Sequence, residues 1–207
     1  MRTQNPEPRT QNKRPGFLFL ITGPSGSGKT TLAQRALGVK EFKGSVAKSV
    51  SFTTRPRRTK ERQERDYFFI TPAQFRANIK EKKIIEWTRY LGYYYGTSRE
   101  FVQDVLGQGK HLVLCLDLKG VRAMEKLFPD STVSIFVEPP SIETLSLRIE
   151  NRCRHTKKEE IKKRLRLARR ELMVRHKFSY RILNQDLHQA TEELIGIIKS
   201  HIRKEQS

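Results

Sequence analysis

The chain has 207 residues and carries 42 Lys and Arg against 22 Asp and Glu, a formal net charge of +20. That length suits one compact domain with a sizeable core, and 36% apolar residues exclude a chain disordered throughout. No run of 18 apolar residues exists, which excludes a transmembrane helix, and two cysteines, Cys115 and Cys153, are too few for a disulfide scaffold or a four-ligand zinc site. Residues 1–14 are polar and lack the apolar segment of a secretory signal, so they read as a disordered basic tail. The expected setting is cytoplasmic and reducing, away from membranes.

Phe17-Leu18-Phe19-Leu20-Ile21 is a short continuous apolar run, the mark of a strand buried on both faces. It leads into Thr22-Gly23-Pro24-Ser25-Gly26-Ser27-Gly28-Lys29-Thr30, followed by the helix formers Leu32, Ala33, Ala36 and Leu37. From Ser51 to Tyr95 the rhythm changes. Tyr67–Ile70, Ile84–Trp87 and Tyr93–Tyr95 are short, aromatic and β-branched, as in a small mixed or antiparallel sheet. Between them Thr71-Pro72-Ala73-Gln74 supplies an N-cap, a proline at the first helical position and a Gln for a capping box. Buried-strand runs return at Leu112–Leu118 and Val133–Val137, and more weakly at Tyr180–Leu183. Helical stretches around Val121–Phe128 and Ile142–Glu150 separate them. Arg148 to Lys177 is a basic helical excursion in which Ile161, Leu165, Ala168 and Leu172 form one apolar stripe. The last helix keeps a 3.6 period through Leu187, Ala190, Leu194, Ile197, Ile198 and His201. Alternating strands and helices predict an α/β fold with a mainly parallel sheet. Cys115, inside an apolar run, reads as a buried thiol.

Gly23-x-x-x-x-Gly28-Lys29-Thr30 is a P-loop pattern in the required context, after a buried strand and before a helix. Backbone N–H groups of such a loop wrap polyphosphate, the lysine reaches the β- and γ-phosphates and the hydroxyl can ligate Mg²⁺. The charge is concentrated. Arg148–Lys177 holds 13 basic and 4 acidic residues, and Arg55–Arg65 holds 6 and 2. Both clusters flank motifs, which favours phosphate-binding pockets over a surface for nucleic acid.

The motifs continue with Ser51-Phe52-Thr53-Thr54-Arg55-Pro56-Arg57-Arg58, Glu61, Asp66-Tyr67-Phe68-Phe69, Ile85-Glu86-Trp87, Tyr94-Tyr95-Gly96-Thr97 and Asp117-Leu118-Lys119-Gly120. Pro139-Pro140-Ser141, Arg148, Arg152, Arg164-Leu165, Glu171 and Asn184 follow. In order and spacing these resemble the motifs of guanylate kinases, from about Phe17 to Ile202. The resemblance implies a P-loop core with an inserted small mixed β GMP-binding subdomain and a helical lid. The domain would span 15–205, with core 15–50, 101–147 and 178–205, GMP-binding subdomain 51–100 and lid 148–177. It implies phosphorylation of GMP or dGMP by ATP with Mg²⁺, in purine nucleotide metabolism. The ATP-contacting residues would be Gly23, Pro24, Ser25, Gly26, Ser27, Gly28, Lys29, Thr30, Thr31 and Asn184, with Thr30 on the metal. The GMP-contacting residues would be Ser51, Arg55, Arg58, Glu61, Tyr67, Glu86, Tyr95, Thr97 and Asp117, with Glu61 orienting Arg58. Lys29, Arg55, Arg152 and Arg164 would carry catalysis.

Residue chemistry supports the same reading. Guanine presents N1–H and N2–H donors beside an O6 acceptor, so a reader needs carboxylates for the donors and a hydroxyl or cation for O6. Glu86, Asp117 and Thr97 are that complement. Glu86 alone would pass for a surface carboxylate on a half-exposed strand. Asp117, ending an apolar run, is costly without a partner or ligand. The chain departs from the family pattern at Lys60, at Pro56, at Cys153 after the lid arginine, at Cys115 and at Lys119. Two other readings use the same residues: a phosphopeptide-binding module of guanylate-kinase shape, which an intact Lys29-Thr30 disfavours, and a basic nucleic-acid-binding NTPase, for which only the short tail offers charge elsewhere. The expected partners are ATP and GMP, with the chain a monomer or homodimer.

Overall fold

β1 (Leu18–Thr22) is buried along its whole length and is the central strand of the main sheet. A computed structural model describes residues 16–59, 61–152 and 158–204. Expectations placed on the tail, on Lys60 and Cys153, and on the side chain of Arg152 lie outside the described residues.

After β1 come α1 (Lys29–Ala36), β2 (Val46–Lys48), β3 (Phe52–Thr53), β4 (Phe68–Phe69), α2 (Pro72–Lys80), β5 (Ile84–Tyr90), β6 (Tyr93–Ser98) and α3 (Arg99–Gly107). Then follow β7 (His111–Cys115), α4 (Leu118–Leu127), β8 (Thr132–Glu138), α5 (Ile142–Arg152), α6 (Lys158–Met173), β9 (Tyr180–Leu183) and α7 (Leu187–Lys204). The main sheet has the order β2-β7-β1-β8-β9 with every pair parallel.

Strand alternation divides the core into two layers. Leu18 and Leu20 of β1, with Leu112 and Leu114 of β7, pack against Val102 and Val105 of α3 and Val121 and Met124 of α4. Phe19 and Ile21, with Val113 and Ile135, pack against Leu32 and Ala36 of α1 and Leu194 and Ile198 of α7. The result is a helix–sheet–helix sandwich. Truncating the fully buried Phe19 to Ala should cost roughly 3–5 kcal/mol. The loop after β1 opens at the carboxyl edge of the sheet, with β7 on one side and β8 on the other. Ligands of open parallel sheets bind in such a crevice.

The second sheet has the order β4-β3-β6-β5 and is mixed, β3 pairing parallel with β4 and antiparallel with β6. β5 and β6 join through Leu91 and Gly92, both at positive φ (51° and 90°), as a two-residue primed hairpin turn demands. Pairing shifts between Ile84 and Glu86, so that Glu86 lies directly opposite Thr97. Such bulges re-aim side chains beside functional sites. α2 begins as the capping box predicts: Thr71 N donates to Gln74 Oε1 at 2.8 Å, and Gln74 N donates to Thr71 Oγ1 at 3.2 Å.

Some boundaries differ from expectation. The apolar run Leu112–Leu118 is not one strand: β7 stops at Cys115, and Asp117 is the N-cap of α4, its Oδ1 accepting from Gly120 N at 2.8 Å. α3, absent from the sequence reading, starts where Ser98 Oγ accepts from Phe101 N. α5 runs unbroken through position 148. Its Leu145 and Ile149 pack against Ala168, Ile161 and Leu165 of α6, so the apolar stripe of the basic excursion finds a covering helix.

Candidate active site

One cleft runs from the loop after β1 to the second sheet. At its first end the glycines are obligatory. Gly28 has φ 92° as the N-cap of α1, and a Cβ there would meet Asn184 Nδ2 at 2.2 Å; at Gly23, φ 142°, it would meet the Val137 carbonyl oxygen at 2.3 Å. Asn184 Nδ2 donates to the Ser27 carbonyl at 2.7 Å and so braces the loop from behind. Lys29 Nζ donates to the Gly23 carbonyl at 3.0 Å, an ammonium held over the loop. Thr30 lines the cleft beside it. The arrangement is an anion cradle, with backbone donors, a helix N-terminus and a lysine.

Cations and hydroxyls line the middle of the cleft: Arg55, Arg58, Ser51, Tyr67 and Tyr95. Glu61 accepts from Arg55 Nη2 through both oxygens, at 2.8 and 2.9 Å, and from Arg58 N at 2.9 Å. The Arg58 guanidinium lies farther from it, at 3.6 Å. Glu61 therefore braces Arg55 more firmly than the expected Arg58, and does so from behind the cleft wall. Arg55 also lies over the Tyr67 ring, 5.5 Å from its centroid. Burial pushes the Tyr67 phenol up to about 12, so it acts as a hydroxyl donor.

Carboxylates line the far end. Glu86 is buried at 6% exposure; Thr97 Oγ1 donates to its Oε1 at 2.5 Å, and its Oε2 has no hydrogen-bond partner. Burial raises its pKa to about 7, against the Thr97 bond, which lowers it. Thr88 Oγ1 donates to Asp117 Oδ2 at 2.9 Å. The two carboxylates form a hydrogen-bond-accepting wall with one unanswered oxygen. Above the loop, α6 contributes Arg164 and Glu171. Arg164 Nη1 donates to Ser25 Oγ at 3.3 Å, and its Nη2 to Glu160 Oε1 at 2.5 Å.

A sequence model described as guanylate kinase matches residues 16–201 of the chain. A guanylate kinase of Thermotoga maritima is 40% identical over 190 residues, covering 91% of this chain and 89% of the relative. One from Synechocystis is 39% identical over 183 residues, with 88% and 93% covered. The chain belongs to the guanylate kinase family. The fold agrees: a crystal structure of guanylate kinase from Anaplasma phagocytophilum superposes with a TM-score of 0.73 at 26% identity, over 91% of this chain and 87% of that one.

Most residues expected from the family resemblance meet in this cleft, coming from the loop after β1 and the start of α1, the loops around β3, the β5–β6 hairpin, the start of α4 and from α6. Eight of the expected residues that are described do not line it, five of them in the P-loop: Pro24, Gly26, Ser27, Gly28 and Thr31, of which Gly26, Gly28 and Thr31 line an outer cavity. Of the other three, Thr97 points its hydroxyl at Glu86, Glu61 stands behind the arginines, and Asn184 supports the loop backbone while facing that outer cavity with Arg148. Cys115 is not sealed in the core: it is half-buried in the cleft wall, its thiol pushed up by burial. Thr88 and Tyr90 line the cleft and were not singled out from sequence. The signal was available, since period two along β5 puts Glu86, Thr88 and Tyr90 on one face.

Proposed function

We propose that this guanylate kinase family chain transfers the γ-phosphoryl group of ATP to GMP or dGMP, giving ADP and the nucleoside diphosphate. One observation carries the reading: a single cleft has an anion cradle at one end and a partly unanswered pair of carboxylates, the buried Glu86 and the half-buried Asp117, at the other, with two arginines between. A nucleoside monophosphate with hydrogen-bond donors on its base fits that order of charges. ATP takes the P-loop, Gly23 to Thr31. The GMP phosphate lies among Arg55, Arg58, Ser51, Tyr67 and Tyr95, and the guanine edge meets Glu86 and Asp117. Thr97 and Thr88 orient those carboxylates.

No side chain is phosphorylated. A GMP phosphate oxygen forms its bond to the γ-phosphorus as the bond to the β–γ bridging oxygen breaks and ADP leaves. Lys29, Arg55 and Arg164 neutralise the charge on the transferring group, and Arg152 joins them as the second lid arginine, so catalysis is positioning and electrostatics. The donor set suits Mg²⁺: the Thr30 hydroxyl stands at the start of α1, a carboxylate, Asp117, lines the same cleft, and no cluster of three or more His, Cys, Asp or Glu is arranged for a metal among the described residues. A hard cation held chiefly by phosphate oxygens and water needs no more. Bound through Thr30, it would neutralise β- and γ-phosphate charge. No helix among the described residues is long and apolar enough to cross a membrane. A coupled ADP-release assay with ATP and a panel of nucleoside monophosphates tests the reading. GMP should be preferred over AMP by up to ~10⁴ in kcat/KM, because adenine leaves the carboxylates of Glu86 and Asp117 unpaired. Equal use of both would overturn it.

A further inference from the structure

Glu171 is a buried carboxylate in the cleft that the proposed transfer does not use. It is 4% exposed on α6, shares the cleft wall with Lys29, and its Oε2 has no hydrogen-bond partner. An ionisable group in such a place is unfavourable unless an opposite charge answers it. Burial raises its pKa to about 7; the field of Lys29 works the other way and favours the ionised form, while Asp117 opposes it. Two helical turns earlier on the same face, Arg164 donates to Ser25 of the P-loop. The helix α6 thus meets the P-loop with one cation and one anion.

These charges respond oppositely to polyphosphate. Phosphate oxygens attract Lys29 and Arg164 and repel Glu171. We propose that Glu171 is a positioning residue that holds the Lys29 ammonium against the nucleotide-free P-loop and yields it to the phosphates, so that α6 senses whether the loop is filled. The proposal rests on the P-loop being the ATP site. Its consequence is unusual in sign: Glu171 competes with nucleotide, so removing its charge tightens binding. A carboxylate that served the metal would do the reverse.

The experiment is calorimetric titration of the full chain with ADP, with Mg²⁺ and with EDTA, for wild type, Glu171→Gln and Glu171→Asp. The Kd for ADP should fall about three- to tenfold in Glu171→Gln, equally in both conditions, and by less in Glu171→Asp. The gain should vanish in a Lys29→Met background, and the KM for ATP should fall while that for GMP stays constant. Glu171→Gln should also melt at a higher temperature; were it not to fold, Glu171→Asp carries the test. An unchanged Kd reduces Glu171 to a packing residue and overturns the proposal. Weaker ADP binding confined to the Mg²⁺ titration overturns it in favour of a metal role. A wild-type chain that binds no ADP refutes the P-loop reading itself, a different failure from wild-type binding that Glu171→Gln leaves unaltered.

Discussion

Glu86 and Lys29 show what single residues decide here. The Glu86 carboxylate titrates at about 7, well above its ordinary 4.5, because burial outweighs the Thr97 hydrogen bond. Guanine donors bind the ionised form, so kcat/KM for GMP should rise as pH climbs through about 7 and then level off; a profile flat from about pH 6 to about pH 8 contradicts the assignment. The stability of the ligand-free protein should move the opposite way. A carboxylate whose folded pKa is raised stabilises the fold below its unfolded pKa, and that contribution fades as pH rises through the folded value. Glu86→Gln should therefore flatten the fall in melting temperature between about pH 5 and about pH 8 while weakening GMP use by about 10- to 100-fold. Lys29→Ala should keep the fold, since the ammonium sits on the loop surface, yet leave less than about a tenth of wild-type turnover. One lost charge-assisted contact is worth at least ~1.5–3 kcal/mol.

Arg58 and Arg164 are both cleft arginines, but they belong to different elements. Arg58 follows β3, on the loop braced by Glu61, and so forms part of the ground-state clamp for the acceptor phosphate. Arg164 rides on α6, touching the P-loop through Ser25. Arg58→Ala should raise the Kd for GMP with kcat less affected. Arg164→Ala should lower kcat with the GMP Kd nearly unchanged, because its charge acts on the transferring phosphoryl group. Equilibrium GMP titration beside steady-state kinetics separates the two; equal loss of GMP affinity without loss of kcat would favour a phosphate-binding module. Legibility also varied by element. The strand–P-loop–helix unit, the capping box of α2 and the stripe of α7 were readable because each is written in local spacing. α3 is harder to read because its buried residues, Val102 and Val105, give one short stripe, although Ser98 before it and Gly107 and Gly109 at its end are cap signals.

The molecule as a whole puts its charge in two places. Of the basic stretch along α6, Arg164 reaches the cleft, while Lys162, Lys163, Arg166, Arg169 and Arg170 stand on the exposed side. Most of this cluster is therefore solvated helix face rather than phosphate pocket. Five cations along one helix can hold phosphodiester weakly, so nucleic-acid binding should be measurable at low salt and fade as salt rises. A Kd tighter than ~1 µM at physiological salt would exceed ordinary non-specific binding and reopen the nucleic-acid reading.

From sequence alone came the α/β class, the P-loop and many of the residues that line the cleft, because phosphate-binding loops and buried strands depend on near neighbours in the chain. Tertiary structure alone decided what those residues do for one another. Thr97 and Thr88 became partners of Glu86 and Asp117, Glu61 a brace for Arg55, Asn184 a support for Ser27 and Glu171 a neighbour of Lys29 in the cleft. The physical reason is range. Backbone conformation and amphipathic spacing are set within a few residues. A hydrogen bond between positions 27 and 184, or the field of Lys29 at position 171, exists only once the sheet has brought distant segments together, and it is there that burial raises the pKa of Glu86 and Glu171.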